Sequence, residues 1–385
     1  MRRETACDDE GCEGQGEVIE PGDAQAAVSV REAPLSFLDS SGEMLQSGFW
    51  GSFKKAHGWQ AHSFSVSAGS AAFGLLVLTR KLARFFTIAY VPFGPVFDPR
   101  TGRGTFLDSL AAALRPRLPR GTLLLRFDLP WSKAGEAPVG EGAALRVRKS
   151  PSDMQPASTV IVDIARPLDD VLSSLKSKTR YNVRLAEKKG VTVAEGSSDD
   201  LDRWYSIYRE TARRDRIGIH ALSYYRGLFQ ASRSSPGAAP DVKLLLAWHD
   251  GDLLAGNIVA FWKTQAVYLY GASSGVKRNL MPTYALQWDA IKRAHAAGCR
   301  TYDLFGVPPL PDPGHAMFGL YQFKTGFSDN VLERWGTWDV SFRPMLAALY
   351  GAAERARMFY HRGLRKRLRA RTRAPAAPAK AGPQD

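Results

Sequence analysis

VKLLLAWHDGDLLAGNIVAFWKTQAVYLYGASS, residues 242–274, is the stretch that decides the fold. Its apolar runs are strand-like, and the first two flank Asp250-Gly251. That dipeptide favours the tight turn of a β-hairpin, because both residue types adopt positive φ at low cost. The stretch therefore predicts an antiparallel meander.

The residues after the meander change from a strand pattern to a helix pattern. Pro282 suits the first turn of a helix and Gly298 suits its end. TYDLFG (301–306) then reads as another strand. Antiparallel strands followed by a crossover helix and a further strand predict a mixed α/β (α+β) fold, and this order fits an acyltransferase fold of the GNAT type.

The first half of the chain follows the same logic without visible sequence repetition. Its strand-like and helix-like segments are AAFGLLVLTR (71–80), FFTIAYVPFGPVFD (85–98), the amphipathic helix GTFLDSLAAALRPRL (104–118) and GTLLLRFDLPW (121–131). Residues 132–158 are rich in Gly, Pro and Ala, which indicates a loop and a domain boundary. We expect one domain over 35–157, completed by about 336–354, and a second over 158–335.

Charge is distributed unevenly along the chain. Residues 1–32 hold nine acids and three bases, whereas residues 355–373 hold nine bases and no acid. We expect 1–34 to be a disordered acidic leader, and 355–385 to be a basic helix followed by a Pro/Ala tail. The body between them still carries +11, which favours an anionic partner: nucleic acid, a phosphorylated substrate or an anionic membrane surface. A solubilising surplus of charge is the alternative. For the basic segment before the tail, the sequence leaves open a solvated segment, attraction to a membrane surface and contact with RNA.

Several other classes of protein are excluded. Cys7 and Cys12 lie in the acidic leader without a second pair, so we expect neither a disulfide framework nor a metal site. Apolar runs fall short of the roughly 18–20 residues that span a bilayer, and the N-terminus lacks the apolar core of a signal peptide. Neither a P-loop nor an HExxH motif occurs. The sequence predicts a cytoplasmic protein.

The stretch LKSKTRYNVRLAEKKG (175–190) holds six Lys or Arg and one acid. Lys176, Arg180, Arg184 and Lys188 are spaced by four and would form one stripe on a helix. Because so few acids are available to offset repulsion, an external anion such as a polynucleotide backbone is a suitable stabiliser. A solvated helix face is the alternative.

Two further positions bear on chemistry. Lys324 lies among aromatic residues in GLYQFKTGFSDN (319–330), where it could either reach solvent or serve as a cation aimed at an oxyanion. Asp98, in FGPVFD, follows a strand and a Gly-Pro turn, which suits turn capping or a substrate contact.

At the strand–helix junction GVKRNLMPTYALQW (275–288), the glycines that would cradle the pyrophosphate of coenzyme A are missing. An acyl donor other than acyl-CoA is therefore expected.

These segments resemble the FemABX aminoacyltransferases that form the bridges of peptidoglycan. The resemblance runs from about Gln46 to Asp339 and is carried by FGPVFD (93–98), KSKTRYNVRLAEKKGV (176–191), YLYGASS (268–274), TYDLFG (301–306) and GLYQFKTGF (319–327). It implies two GNAT-like domains and transfer of an amino acid from aminoacyl-tRNA to an amine of the stem peptide of a UDP-linked or lipid-linked precursor. It implies neither metal nor cofactor. Since no long heptad indicates a coiled-coil arm, the chain resembles the compact form of the family, and we expect a monomer.

The resemblance also implies roles for individual residues. The family's Phe-Lys pair matches Phe323-Lys324: Lys324 would stabilise the oxyanion and the leaving group, and Phe323 would position the end of the tRNA. The positions that match the family's acceptor site are Lys54 (or its neighbour Lys55), Trp59, Asp98, Arg214 and Tyr270. The basic stripe would bind the tRNA backbone near the acceptor end, with the diphosphate of the precursor as the alternative ligand.

Two other functions are left open by the sequence. One is an N-acyltransferase of GNAT type that acts on another amine, in exopolysaccharide or lipid metabolism. The other is a non-catalytic protein that binds RNA or touches the inner face of the plasma membrane. Binding of acyl-CoA would favour the first, and indifference to substitution of Lys324 would favour the second.

Overall fold

The computed structural model describes residues 27–134, 139, 146–215, 217–235, 237–308, 310–314 and 317–360. The strands in these residues are β1 (Ser29–Glu32), β2 (Gln60–Ala68), β3 (Ala71–Ala83), β4 (Phe86–Val91), β5 (Thr122–Ser132), β6 (Val147–Lys149), β7 (Ser158–Asp163), β8 (Thr192–Gly196), β9 (Asp241–His249), β10 (Asp252–Trp262), β11 (Gln265–Ser273), β12 (Thr301–Val307) and β13 (Val331–Ser341). The α-helices are α1 (Gly48–Lys55), α2 (Arg103–Leu114), α3 (Leu168–Ser174), α4 (Ser177–Lys188), α5 (Leu201–Asp215), α6 (Leu222–Ser234), α7 (Pro282–Ala296), α8 (Phe318–Lys324) and α9 (Pro344–Phe359).

One arrangement occurs twice: an antiparallel meander of three strands, a crossover helix, and a fourth strand parallel to the third. Strands β2, β3 and β4 with α2 and β5 form the first copy, and β9, β10 and β11 with α7 and β12 form the second. The predicted mixed, largely antiparallel fold with two GNAT-like units is confirmed. The longest helix in the described ranges is α9, with 16 residues, so no coiled-coil arm is present there.

Local chemistry explains where the second copy turns. Asp250 and Gly251 both have positive φ, at 49° and 80°, as the predicted hairpin requires. Pro282 occupies the first turn of α7, where its missing N–H would have had no helical partner. Gly298 follows the end of that helix at φ 79°, a conformation that costs glycine least.

All the described strands belong to one sheet in the order β1-β2-β3-β4-β5-β13-β7-β12-β11-β10-β9-β8, with β6 paired to β13. Strand β13 joins the two copies: residues 331–333 pair with β7, and residues 334–341 pair with β5. The predicted boundaries near 157 and 335 fall beside these pairings and stay predictions.

The core also crosses from one copy to the other. Trp50 and Phe53 of α1 pack in one buried cluster with Trp204 of α5 and Tyr225 of α6. Two further clusters lie within the first and the second copy. Because the shared cluster fixes the copies against each other, side chains from both can form one site.

The predicted termini need one correction. Residues 1–34 were expected to be disordered, but Ser29–Glu32 form β1 on the edge of the sheet, antiparallel to β2. The reason is that the side chain of Val30 is buried in the hydrophobic cluster of the first copy, whereas the other residues of β1 are exposed. Residues 1–26 lie outside the described ranges, as do residues 361–385 of the predicted basic tail.

Candidate active site

The side chain of Lys324, the last residue of α8, is buried between strands of the second copy. Only 5% of the residue is exposed. Its Nζ donates to the carbonyl oxygens of Gly306, at 2.9 Å, and Phe305, at 3.2 Å. The ring of Tyr268 on β11 lies 5.4 Å from the same nitrogen. Lys324 is thus held by acceptors at the end of β12 and an aromatic face on β11.

An interruption in β12 presents those two carbonyls. Phe305 has φ 59°, which is unusual for a side chain of this size, and the register with β7 shifts between Asp303 and Gly306. The buried carboxylate of Asp303 accepts the N–H of Phe305 at 2.7 Å and the hydroxyl of Thr159. Asp303 thereby stabilises the irregular backbone against which Lys324 lies.

Burial governs the charge of Lys324. Loss of hydration lowers the pKa of its amine to about 7, and the nearby Asp303 carboxylate acts in the opposite direction. Of the three N–H donors of the ammonium, the two backbone carbonyls occupy two among the described residues. The remaining donor can stabilise negative charge on a substrate oxygen in a site with little water.

Arg334 connects this site to the first copy. Its Nη2 lies 3.4 Å from Oδ2 of Asp303, and its guanidinium stacks 4.9 Å from the ring centre of Phe93. Phe93 follows β4 at φ 39° and also packs near Phe305, with 6.4 Å between ring centres. Arg334 Nη1 is buried without a hydrogen-bond partner among the described residues. The carboxyl ends of β4 and β12 therefore meet here.

Two carboxyl groups near this junction were not singled out by the sequence. Loss of hydration raises the pKa of both Glu43 and Asp128 to about 7. Asp128 accepts hydrogen bonds from the hydroxyls of Tyr90, at 3.0 Å, and Thr337, at 3.1 Å.

The sequence could have indicated some of these residues. Asp303 could have been found from the TYDLFG motif. The partners of Asp128 could not, because Thr337 lies 209 positions away.

The structure separates the two members of the predicted Phe-Lys pair. Phe323 turns toward Tyr284 of α7, with 5.0 Å between ring centres, and toward Phe327, at 5.4 Å. Neighbours on a helix project about 100° apart, so Phe323 and Lys324 face different surroundings. Phe323 is partly exposed in this aromatic group. Its role toward tRNA stays a prediction.

Three of the five predicted acceptor residues lie close together: Lys54 contacts Trp59 directly, and Tyr224 lies beside both Lys54 and Tyr270. The amine of Lys54 lies 5.6 Å from the ring of Tyr224, 5.3 Å from Trp50 and 6.0 Å from Trp59. Burial lowers the pKa of Lys54, and the charge of Arg80 lowers it further. Burial raises the pKa of Tyr270, and the neighbouring Tyr224 raises it further. Lys55 is exposed and lies outside this aromatic group, and the role of Lys54 in binding the acceptor stays a prediction.

The remaining two acceptor residues are engaged elsewhere. Asp98 forms a bidentate ion pair with the buried Arg103, at 2.7 and 2.8 Å, and accepts the N–H of Arg100 at 3.0 Å. Arg214 donates to the carbonyl and the hydroxyl of Ser273, both at 3.0 Å. Arg214 thus contacts the last residue of β11, Ser273, which lies three positions after Tyr270. Asp98 instead stabilises the turn that contains it. Contact of either residue with substrate stays a prediction.

The basic stripe lies on and just before α4, which begins at Ser177 rather than extending α3. Arg184 and Lys188 are exposed, and Lys176 forms an exposed ion pair with Asp329 at 2.6 Å. Arg180 differs, because its Nη1 donates to the carbonyls of Ser173, at 2.6 Å, and Leu175, at 3.0 Å. One member of the stripe therefore caps the end of α3.

The junction between β11 and α7 does not fit a coenzyme A pyrophosphate. Pro282 has no N–H, the N–H of Met281 donates to Arg278, and that of Tyr284 donates to the carbonyl of Met281. Several of the backbone donors that would hold a pyrophosphate are therefore missing or occupied at this helix start. No step through coenzyme A is derived from these residues.

Comparison with known proteins gives a consistent result. The model of the FemAB family matches residues 145–234 and 247–355. Lipid II:glycine glycyltransferase of Staphylococcus aureus is 23% identical over 371 residues, which cover 78% of this chain and 88% of that protein. The crystal structure of FemX superposes with a TM-score of 0.69 at 22% identity, covering 83% of this chain and 97% of that chain. Since the family model covers more than half of the chain, the protein belongs to the FemAB family and is an aminoacyltransferase.

Proposed function

We propose that this enzyme transfers an amino acid from aminoacyl-tRNA to an amine in the stem peptide of a peptidoglycan precursor, and so contributes to an interpeptide bridge. The observation that carries the proposal is the buried Lys324 amine, held on two carbonyls with one donor left over. Family membership and the similarity to lipid II:glycine glycyltransferase support the choice of substrates.

The reaction is aminolysis of an ester. The acceptor amine attacks the ester carbonyl of the aminoacyl-tRNA, and a tetrahedral oxyanion forms. Lys324 in its charged form donates a hydrogen bond to that oxygen and then stabilises the ribose oxygen as the carbon–oxygen bond breaks. The leaving ribose oxygen gains a proton and the attacking nitrogen loses one, so the balance requires no further reactant.

The acceptor is proposed to lie along β11. Tyr268 touches Lys324, and Tyr270 lies two positions further along the same strand, beyond a shift in the register with β10. Lys54, within its group of aromatic rings, adds a positive charge suited to the diphosphate of either precursor form. The exposed positions of the α4 stripe are proposed to follow the tRNA backbone.

No helix in the described parts of the chain is both long and apolar enough to cross a membrane. We propose that the protein acts in the cytoplasm, where charged tRNA and the precursors are both accessible.

Transfer of a labelled amino acid from charged tRNA tests the proposal. The full chain is mixed with a set of aminoacyl-tRNAs and either the UDP-linked or the lipid-linked pentapeptide, and the acceptor is analysed by mass spectrometry. We expect one acceptor to gain the mass of one amino acid residue. Absence of product with every charged tRNA on both acceptors would overturn the proposal, and acyl-CoA-dependent modification of another amine would replace it with the N-acyltransferase alternative.

A further inference from the structure

One end of the first copy gathers basic and apolar side chains that the proposed reaction does not use. Three segments meet there: residues 81–85 at the turn between β3 and β4, residues 115–121 after α2, and residues 343–349 at the start of α9. We call them the basic end. Its six bases are Lys81, Arg84, Arg115, Arg117, Arg120 and Arg343, and the three segments contain no acid.

Tertiary contacts join these segments into one surface. The N–H of Thr87 donates to the carbonyl of Gly121 at 3.0 Å, and a Cβ on Gly121 would lie 2.2 Å from the carbonyl oxygen of Phe85. Arg343 Nη2 donates to the carbonyl of Arg120 at 3.0 Å. The three segments are thus adjacent in space, although the third lies more than 200 positions from the other two in sequence.

The same surface exposes large apolar side chains. Phe85 is 73% exposed, Met345 83% and Leu349 67%, and Leu82 is exposed beside them. From Met345 and Leu349, a stripe of small or apolar residues continues along the outer side of α9 to Phe359, which is 73% exposed. The spacing of these positions places them on one face of the helix. A surface of this size is exposed to water at a cost unless something covers it.

We infer that the basic end, together with the outer face of α9, is a docking surface for an anionic phospholipid bilayer. The bases match lipid phosphates, and the apolar side chains match the boundary between headgroups and acyl chains. Aliphatic side chains such as Leu82, Met345 and Leu349 have no equivalent role on RNA, whose bases stack on aromatic or guanidinium planes. The chain also continues after Tyr360 into residues 361–373, which hold seven bases and no acid.

The position of this surface leaves the candidate active site open. Strand β4 runs from the basic end to the Phe93 turn, and its six residues span about 20 Å at ~3.3 Å per residue. The α4 stripe belongs to the second copy, so a docked bilayer and a bound tRNA would occupy different surfaces. The inference does not depend on which acceptor the enzyme uses.

Vesicle binding by the full chain tests the inference. Phosphatidylcholine vesicles with and without phosphatidylglycerol are the probes, and cosedimentation is the measurement. We expect binding only with phosphatidylglycerol, weakened by salt. The Arg84→Glu/Arg120→Glu variant should bind roughly tenfold more weakly, since each base near an anionic surface contributes to the affinity. The matched control is Arg203→Glu/Arg233→Glu, which changes the net charge equally at exposed positions of α5 and α6.

A second pair of variants tests the apolar contribution. Phe85→Ser/Met345→Ser should also bind roughly tenfold more weakly, whereas Val276→Ser/Leu310→Ser, at exposed positions elsewhere, should bind as the unchanged chain does. Hydrogen exchange of the unchanged chain gives a readout without any variant: vesicles should slow exchange in 81–85 and 343–359.

Three results would overturn the inference. The first is no binding to phosphatidylglycerol vesicles at low salt. The second is equal binding by the variants of the docking surface and their controls. The third is unchanged hydrogen exchange in both 81–85 and 343–359 when vesicles are added. Loss of tRNA binding with normal vesicle binding in the Arg84→Glu/Arg120→Glu variant would instead assign the surface to RNA. None of these results depends on aminoacyl transfer.

Discussion

The amine of Lys324 lies 2.9 Å from the carbonyl oxygen of Gly306, on a strand that Asp303 holds out of regular register. Among the described residues, the cation of the proposed reaction is therefore placed by two backbone carbonyls rather than by a salt bridge. The charge of Lys324 and the shape of β12 are consequently linked, and both can be tested separately.

Removing the charge of Lys324 should remove most of the transfer activity. Lys324→Met keeps the length and much of the apolar volume of the side chain, but it has no donor for the oxyanion. We expect the rate of transfer to fall at least tenfold, which corresponds to about 1.4 kcal/mol in the barrier. Single-turnover transfer from charged tRNA measures it. Lys178→Met, at an exposed position of α4, is the control, and an unchanged rate in Lys324→Met would exclude the oxyanion role.

Asp303 should set the pH range in which Lys324 is charged. The pKa of Lys324 lies at about 7, so its contribution to transfer should decline as the pH rises through that value. The Asp303 carboxylate raises this pKa, and Asp303→Asn should therefore move the decline to lower pH. The ratio of variant to unchanged rates across the neutral range reports the shift, because deprotonation of the acceptor amine affects both equally. A constant ratio would contradict the prediction.

Gly306 should be intolerant of a side chain for a specific steric reason. A Cβ at this position would lie 2.4 Å from Cγ and 2.5 Å from Cβ of Pro156. Gly306→Ala should therefore shift the carbonyl that accepts from Lys324 and lower the transfer rate by roughly tenfold to a hundredfold. The double variant Gly306→Ala/Pro156→Gly removes the opposing atoms and should recover much of the rate. Failure of this rescue would show that the backbone, not the clash, governs the effect.

The basic stripe should divide into binding and structural members. Arg184→Glu/Lys188→Glu changes two exposed bases and should weaken tRNA affinity about tenfold at low salt, with little change in thermal stability. Arg180→Ala should lower the melting temperature instead, since it removes two hydrogen bonds that cap α3. Filter binding and circular dichroism separate the two effects. Normal tRNA binding with impaired precursor binding in the first variant would reassign the stripe to the diphosphate.

Lys54 should act on the acceptor and its neighbour should not. Lys54→Met removes a cation that faces three aromatic rings, and we expect the KM for the precursor to rise about tenfold with a smaller effect on kcat. Lys55→Met changes the same residue type at an exposed position and serves as the matched control. Equal KM values in the two variants would remove Lys54 from the acceptor site.

Local patterns accounted for much of the fold. Asp250-Gly251, Pro282 and Gly298 each mark a turn or a helix end through backbone preferences that need no distant partner. Strand-like apolar runs on both sides of Asp250-Gly251 likewise predicted the meander. Strand β1 was not predicted, because one buried side chain, that of Val30, in a four-residue strand gives too little signal.

The candidate site was predictable only in part. Lys324 was singled out by its aromatic neighbours in sequence and Lys54 through a family resemblance, and the structure gives each a distinct environment. Arg334, Glu43 and Asp128 gave no local signal, because their partners come from other elements. Phe323 and Lys324 are adjacent in sequence yet face different groups, a separation that follows from helical geometry once α8 forms.

The sequence by itself determined the order of strands and helices, the basic balance and the membership of a family, since these depend on residues close together or on composition. Tertiary structure alone decided which charges are buried, that β12 breaks register beside Lys324, and that residues near 84, 120 and 345 form one surface. The physical reason is that desolvation and contact depend on what the folded chain brings near each group, and those neighbours lie up to hundreds of positions away.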